Sequence, residues 1–180
     1  MTAVRFLCVA ALAAASAFTL FGVQEGARAA EASPTPLLDE IREAQATTWR
    51  YDRIMGRKLT RADRSVYRSP SRSYRRWVLG LWQKRAEKAR RRAMHPPHKA
   101  AWLCIHGHEG PWGANTGNGY YGGLQMDISF QRTYGRYLLR KKGYAHRWTA
   151  IEQMWVAERA YRSGRGFYPW PNTARNCGLL

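Results

Sequence analysis

Acidic residues are scarce in this sequence: 12 Asp and Glu stand against 30 Lys and Arg, a formal net charge of +18 over 180 residues. Such an imbalance implies an anionic partner, and nucleic acid, acidic lipid and bacterial wall polymer all qualify. Cysteine is nearly absent, with 3 in the chain, which leaves no room for a disulfide-dense scaffold. After residue 23 no apolar run approaches the length needed to span a membrane. No internal repeat and no Ser-His-Asp constellation is legible. Aromatics, in contrast, are plentiful. Eight Trp and ten Tyr exceed what a minimal core needs, so some are free to face a ligand. The length suits one domain plus an appendage.

The N-terminus narrows the choice of partner. "MTAVRFLCVAALAAASAFTLFGVQEGARAA" places Arg5 ahead of an uncharged run over residues 6–23, followed by Ala27-Arg28-Ala29. A positive start, an apolar run and an A-x-A site make residues 1–29 a signal peptide, with an uncleaved membrane anchor as the rival reading. Either places the remainder outside the cytoplasm, in the secreted or wall-associated space, and argues against nucleic acid. Cys8 falls in this segment, so the mature chain keeps Cys104 and Cys177, which in an exported protein are most simply a disulfide.

A seam falls at "HPPHK", residues 95–99, because Pro-Pro stops a helix. It divides a basic, mostly helical region, 30–98, from a second domain, 99–180. In the first, "TPLLDEIREAQATTWRYDRIMG" carries Leu37, Ile41, Ala44, Thr48, Tyr51 and Met55 at helical spacing, with Gly56 as a stop. "RSYRRWVLGLWQKRAEKARRRAMH" lines up Trp77, Leu81 and Lys84 and carries a basic face, with an Arg/Lys-rich linker between the two helices. The cations of "KARRRAMH" suit a helix C-terminus and also draw the protein towards anionic wall polymers or lipid head groups.

The second domain carries the chemistry. "KAAWLCIHGHEG" reads as a helix ending at Glu109, with Trp102, Ile105 and Glu109 on one side. Asn118-Gly119 is a strong hairpin signal, Asp127 is placed to cap a helix, and Thr149 to Glu152 forms a capping box. The expected fold is therefore mainly α, with one small β-hairpin. Of the four carboxylates, the capping box accounts for Glu152, Glu158 is expected to pair with an Arg, and Asp127 is explained as a cap. Glu109 has no structural duty. It follows an apolar helix face and precedes a glycine-rich loop, the setting a general acid requires. "CIHGH" does not make a metal site, because His106 lies about 200° around the helix from His108. No metal or other cofactor is expected.

The loop "NTGNGYYGGLQ", the Glu ahead of it, "EQMWVAE" and the end "GRGFYPWPNTARNCG" closely resemble the resuscitation-promoting factors of actinobacteria, small secreted enzymes with a lysozyme-like domain. "GGLQ" is also similar to the Gly-Leu-Met-Gln element of soluble lytic transglycosylases. The resemblance covers residues 102–178 and leaves out the basic helical region. It departs from the family pattern at two places. His108 stands where the family has a Cys before the acid, with Cys104 one helical turn away and Cys177 six residues after Pro171. The segment from Glu109 to Trp112 is two residues shorter than the family's.

What the resemblance implies is cleavage of the β-1,4 bond between N-acetylmuramic acid and N-acetylglucosamine in peptidoglycan, with Glu109 as the acid. A single acid favours a lytic transglycosylase over a hydrolase, for which Asp127 is the available second carboxylate. Non-catalytic wall binding is the rival from another class. Trp112, Tyr120 and Tyr121 are candidate sugar-stacking surfaces, and Asn115, Thr116, Asn118 and Gln125 candidate polar contacts. On a strand the two tyrosines face opposite ways, so at most one meets substrate, and Gln125 either binds or braces the loop. The chain is expected to act as a monomer on glycan strands.

Overall fold

The computed structural model describes residues 34–180; the expected signal peptide, with Cys8, lies outside the described residues. Helix α1, Pro34–Ile54, buries Ile41 and Thr48 of the expected stripe, together with Gln45 and Asp52 beside it, and Gly56 ends the segment in a left-handed conformation (φ +66°). Helix α3, Arg72–Ala93, begins at Ser71, whose side chain accepts from Tyr74 N. It buries Val78, Trp82, Ala89 and Ala93. The expected line through Trp77 and Leu81 is therefore one position off the true interface. The small Ala89 and Ala93 let the helices meet along the neighbouring row, which turns Trp77 outward to 63% exposure.

The segment between these helices, read as a linker, is pinned in place. Buried Asp52 accepts from Thr60 N at 2.9 Å and Thr60 Oγ1 at 2.8 Å, while Trp49 Nε1 donates to Thr60 O at 2.7 Å. A short helix α2, Ser65–Arg68, then inserts Val66 into a cluster with Ile41, Val78 and Trp82.

Beyond Pro96-Pro97, helix α4 spans Lys99–Glu109 and buries Trp102 and Ile105. Strands β1, Tyr120–Tyr121, and β2, Met126–Asp127, pair antiparallel with Tyr120 opposite Asp127. The ladder thus turns through residues 122–125, not through Asn118-Gly119. The Asn-Gly pair sits in a second reversal closed only by a bridge between Asn115 and Tyr121. Two turns share the one strand, so a strong local signal marked the lesser of them. Helices α5, Ile128–Tyr134, and α6, Arg136–Lys142, follow, then a 3-10 turn, Ala145–Arg147. Helix α7, Ala150–Ala160, opens with the expected Thr149–Glu152 capping box. A π turn and helix α8, Pro171–Asn176, complete a mainly α, lysozyme-like fold with one small sheet. A disulfide ties Cys104 on α4 to Cys177 just after α8, with S–S 2.01 Å. No helix among the described residues is long and apolar enough to cross a membrane.

Helix α7 is buried on nearly every side and organises what surrounds it. Its Glu158 does not pair with an Arg. The carboxylate accepts from His98 N at 2.7 Å and Trp102 Nε1 at 2.9 Å, with the His98 ring 3.2 Å away. It sits at the N-terminus of α4, where the helix dipole and unpaired amides favour an anion. The same helix and the turn after it grip α1 and α3. Trp155 Nε1 donates to Ala93 O at 2.7 Å, Arg159 to Ile54 O at 2.7 Å and also to Tyr134 O, and Arg162 to Met55 O at 3.1 Å. Orphan carbonyls at the ends of α1 and α3 are thereby satisfied by side chains from α7 and the turn after it. Burial, with the nearby Arg162 charge, lowers the Arg159 pKa to about 10, so it remains a cation at neutral pH.

Candidate active site

Glu109 is the last residue of α4, partly exposed, and the positive φ of Gly110 turns the chain sharply away after it. Thr173 Oγ1, on α8, donates to Glu109 Oε1 at 2.8 Å. That bond holds one oxygen as an acceptor and leaves Oε2 to carry or receive a proton. The hydroxyl arrives from 64 positions away because the Cys104–Cys177 bridge fastens the end of α8 to α4.

The other three carboxylates of the domain have structural duties. Glu152 receives Lys142 Nζ on both oxygens at 2.7 Å and completes the capping box. Glu158 is wholly buried under the donors described above. Asp127 Oδ1 caps α5, accepting from Phe130 N at 2.7 Å. Its register partner Tyr120 is 48% exposed, and with Gln125, Arg165 and Trp170 the two line a small groove of about 170 Å³. Glu109 is not among the lining residues. The acid and the groove are connected through α8, where Thr173 holds the acid and Trp170, three residues earlier, lines the groove.

The loop between them is built tightly. The Trp112 ring stacks on His106 with centroids 3.9 Å apart and planes 19° from parallel, so one face of a candidate sugar platform is covered by protein. A Cβ at Gly123 would lie 2.5 Å from His106 Nδ1 and 2.8 Å from the Trp112 ring, and one at Gly122 would collide with Gln153. Only glycine permits the turn to pass so close to these side chains. Gln153 Nε2 donates to Trp112 O at 2.9 Å as well as to Ala145 O and Trp148 O. Gln125, at φ +44°, donates its amide to Gly122 O, so it braces the turn. Asn118 Oδ1 accepts from Tyr120 N, a local turn bond. Tyr121 faces inward and stacks on Tyr144, with centroids 4.5 Å apart. Asn115 and Thr116 are exposed at the rim.

Three contributors were invisible to sequence spacing: Thr173, His106 and Gln153. For Gln153 there was a signal, a neutral amide within the apolar "EQMWVAE", where a buried polar group needs partners. The grouping of Cys104, His108 and Cys177 offers no thiolate to a metal, since both sulfurs are in the disulfide.

Comparison with known proteins bears on the same stretch. The family model described as "Transglycosylase-like domain" matches residues 99–173. This part of the chain is similar to that family. Resuscitation-promoting factor Rpf1 of Corynebacterium glutamicum is 41% identical over 70 residues, covering 39% of this chain and 35% of the relative. Resuscitation-promoting factor Rpf of Micrococcus luteus is 36% identical over 70 residues, covering 39% of this chain and 29% of the relative. The chain spans about a third of the length of these curated relatives. The matched stretch begins at the first residue of α4 and ends at Thr173, the residue that holds Glu109.

Proposed function

We propose that the chain is a secreted or wall-associated enzyme that cleaves the β-1,4 bond between N-acetylmuramic acid and N-acetylglucosamine in peptidoglycan, as a lytic transglycosylase with Glu109 as its acid. One observation carries this reading: among the domain's four carboxylates, Glu109 alone is partly exposed without a structural duty, while Glu152, Glu158 and Asp127 are committed to caps and buried donors. Retaining hydrolysis needs two working carboxylates about 5 Å apart. A transglycosylase needs one. Glu109 protonates the glycosidic oxygen as the bond to C1 breaks, and the substrate's acetamido oxygen closes onto C1. The resulting carboxylate then takes the proton of the sugar's own 6-hydroxyl as that oxygen attacks C1 and displaces the acetamido oxygen, which restores the acetamido group and gives a 1,6-anhydro end. Thr173 steadies the carboxyl through both steps, and exposed Tyr120 supplies the stacking surface that inward-facing Tyr121 does not.

The zymogram of Glu109→Gln against wild type tests the assignment, with the loss of clearing expected to be about 10²- to 10⁴-fold. Clearing that persists in the variant would remove Glu109 from the reaction. No clearing by either protein would leave a wall-binding module. The mass of the released ends separates the chemistries, because an anhydro end weighs one water less than a hydrolytic end.

A further inference from the structure

The helical region carries a groove of its own. It has a volume of about 530 Å³ and lies between the pinned turn before α2 and the first half of α3. Arg61 and Arg64 enter it from the turn, and Arg85, Tyr74 and Trp77 from α3. Tyr74 and Trp77 stack with centroids 5.9 Å apart and planes 22° from parallel, and Trp77 is 63% exposed. Beneath them Trp82 is buried against Trp49 and carries the Arg85 guanidinium 4.8 Å above its ring. Neither Arg61 nor Arg64 forms an ion pair with a carboxylate among the described residues.

These features are costly to hold in place unless they are used. A run of cations in an exposed segment ordinarily stays mobile. Here the turn is fixed to α1 through buried Asp52 and through Trp49. A large aromatic face left in water beside fixed cations is a surface for a ligand with an apolar face and a negative charge. The charge in the groove is also sparse. Asp63 lies among the three arginines, its two oxygens holding Ser65 N and Ser65 Oγ. A carboxylate in that position repels a continuous phosphate backbone, yet its remaining lone pairs accept sugar hydroxyls.

We infer that this groove binds an anionic polysaccharide, with one sugar ring on Trp77 and the negative groups on Arg61, Arg64 and Arg85. The negative charge comes either from a uronic acid or from a phosphodiester. The preference for glycan over nucleic acid leans on the glycan-cleaving reading of the neighbouring domain, but the binding itself does not need cleavage. In effect the chain would hold a charged wall polymer at one site while it cuts a neighbouring strand at the other.

The test uses the full chain carrying Glu109→Gln, so that binding is measured without turnover and independently of the cleavage assignment. Oligogalacturonate and phosphomannan are titrated as the two anionic glycans, with neutral mannan, inorganic polyphosphate and single-stranded DNA as comparators. Binding to at least one anionic glycan is expected, about tenfold weaker in Trp77→Ala and similarly weaker in the double variant Arg61→Ala, Arg64→Ala. Whichever of the two binds identifies the source of the charge. Polyphosphate has no ring to stack, so Trp77→Ala should change its affinity less than about twofold. Thermal melts confirm that these exposed substitutions leave the fold intact. Mannan binding as tight as phosphomannan, no effect of Trp77→Ala on glycan affinity, or tighter binding of DNA than of either glycan would each overturn the proposal.

Discussion

The helical hairpin and the domain that follows it bury polar groups in different ways. In the hairpin their reach is shorter: Thr48 Oγ1 reaches Ala44 O four residues back, Asp52 holds Thr60 eight residues on, and Gln45 Oε1 accepts from the Tyr67 hydroxyl 22 residues on. In the domain they reach far along the chain. Glu158 serves His98 and Trp102 at separations of 60 and 56, Trp170 Nε1 donates to Leu124 O at a separation of 46, and Gln153 holds Trp112 O across 41. Local bonds follow from the helix and its neighbouring turn, so the hairpin needs little beyond its apolar stripe. The domain's loop has almost no regular structure and takes its shape from non-local polar ties. Precision at a site is thus bought with buried hydrogen bonds that a simple helical pair does not require.

The strongest way to break this contrast is Glu158→Leu. The substitution leaves the Trp102 indole N–H and the His98 amide without their acceptor, in a position where water cannot replace it. A loss of about 3–5 kcal/mol is expected, the scale for removing one partner from a buried charged network. Urea denaturation followed by the domain's tryptophans measures it. A cost below about 1 kcal/mol would mean that the long-range ties are decoration and the apolar core alone sets the loop.

Between the two regions lies a small cluster of Ile54, Met55, Ala89, Ala93 and Trp155, which belongs to both. Trp155→Phe keeps most of the ring in this cluster and removes the donor to Ala93 O. About 1 kcal/mol of stability should be lost. Amide exchange should quicken in the last turn of α3 while the centre of α4 stays protected. Equal quickening in both would show that the hairpin and the domain open as one unit, which would narrow the contrast drawn between them.

Legibility from sequence follows the same division. Features set by a few adjacent residues were readable: α4 ending at Glu109, Gly56 as a stop, Asp127 as a cap, the Thr149 capping box. The disulfide followed from there being two cysteines to pair. Features set by distant partners were not. Spacing lines up Trp77, Leu81 and Lys84, but which row of α3 meets α1 depends on where Ala89 and Ala93 allow close approach. Glu158 was expected to find an arginine because arginines are abundant; it finds an amide and an indole because the seam at Pro96-Pro97 starts α4 directly beside it. Asn118-Gly119 is a genuine reversal, yet the ladder formed across Gly122-Gly123, where two bare backbones fit against His106, Trp112 and Gln153. Thr173 had no local signal at all.

The smallest expected effect sharpens the proposed chemistry most. Asp127 caps α5 through one oxygen and lines the groove beside Tyr120, so it is the carboxylate whose part in the chemistry needs testing. Asparagine caps a helix about as well as aspartate, so Asp127→Asn should cost no more than about 0.5 kcal/mol. It removes the negative charge while retaining an oxygen that can accept from Phe130 N. If Asp127 only caps, the rate of glycan cleavage stays within about threefold of wild type and anhydro ends remain the product. A loss of about 100-fold or more, with stability unchanged, would give Asp127 a part in the chemistry and replace the single-acid transglycosylase by a two-carboxylate hydrolase. Asp127→Ala checks the structural half, because loss of the cap should lower stability by about 1 kcal/mol. The two substitutions together separate the charge of this residue from its place at the start of the helix.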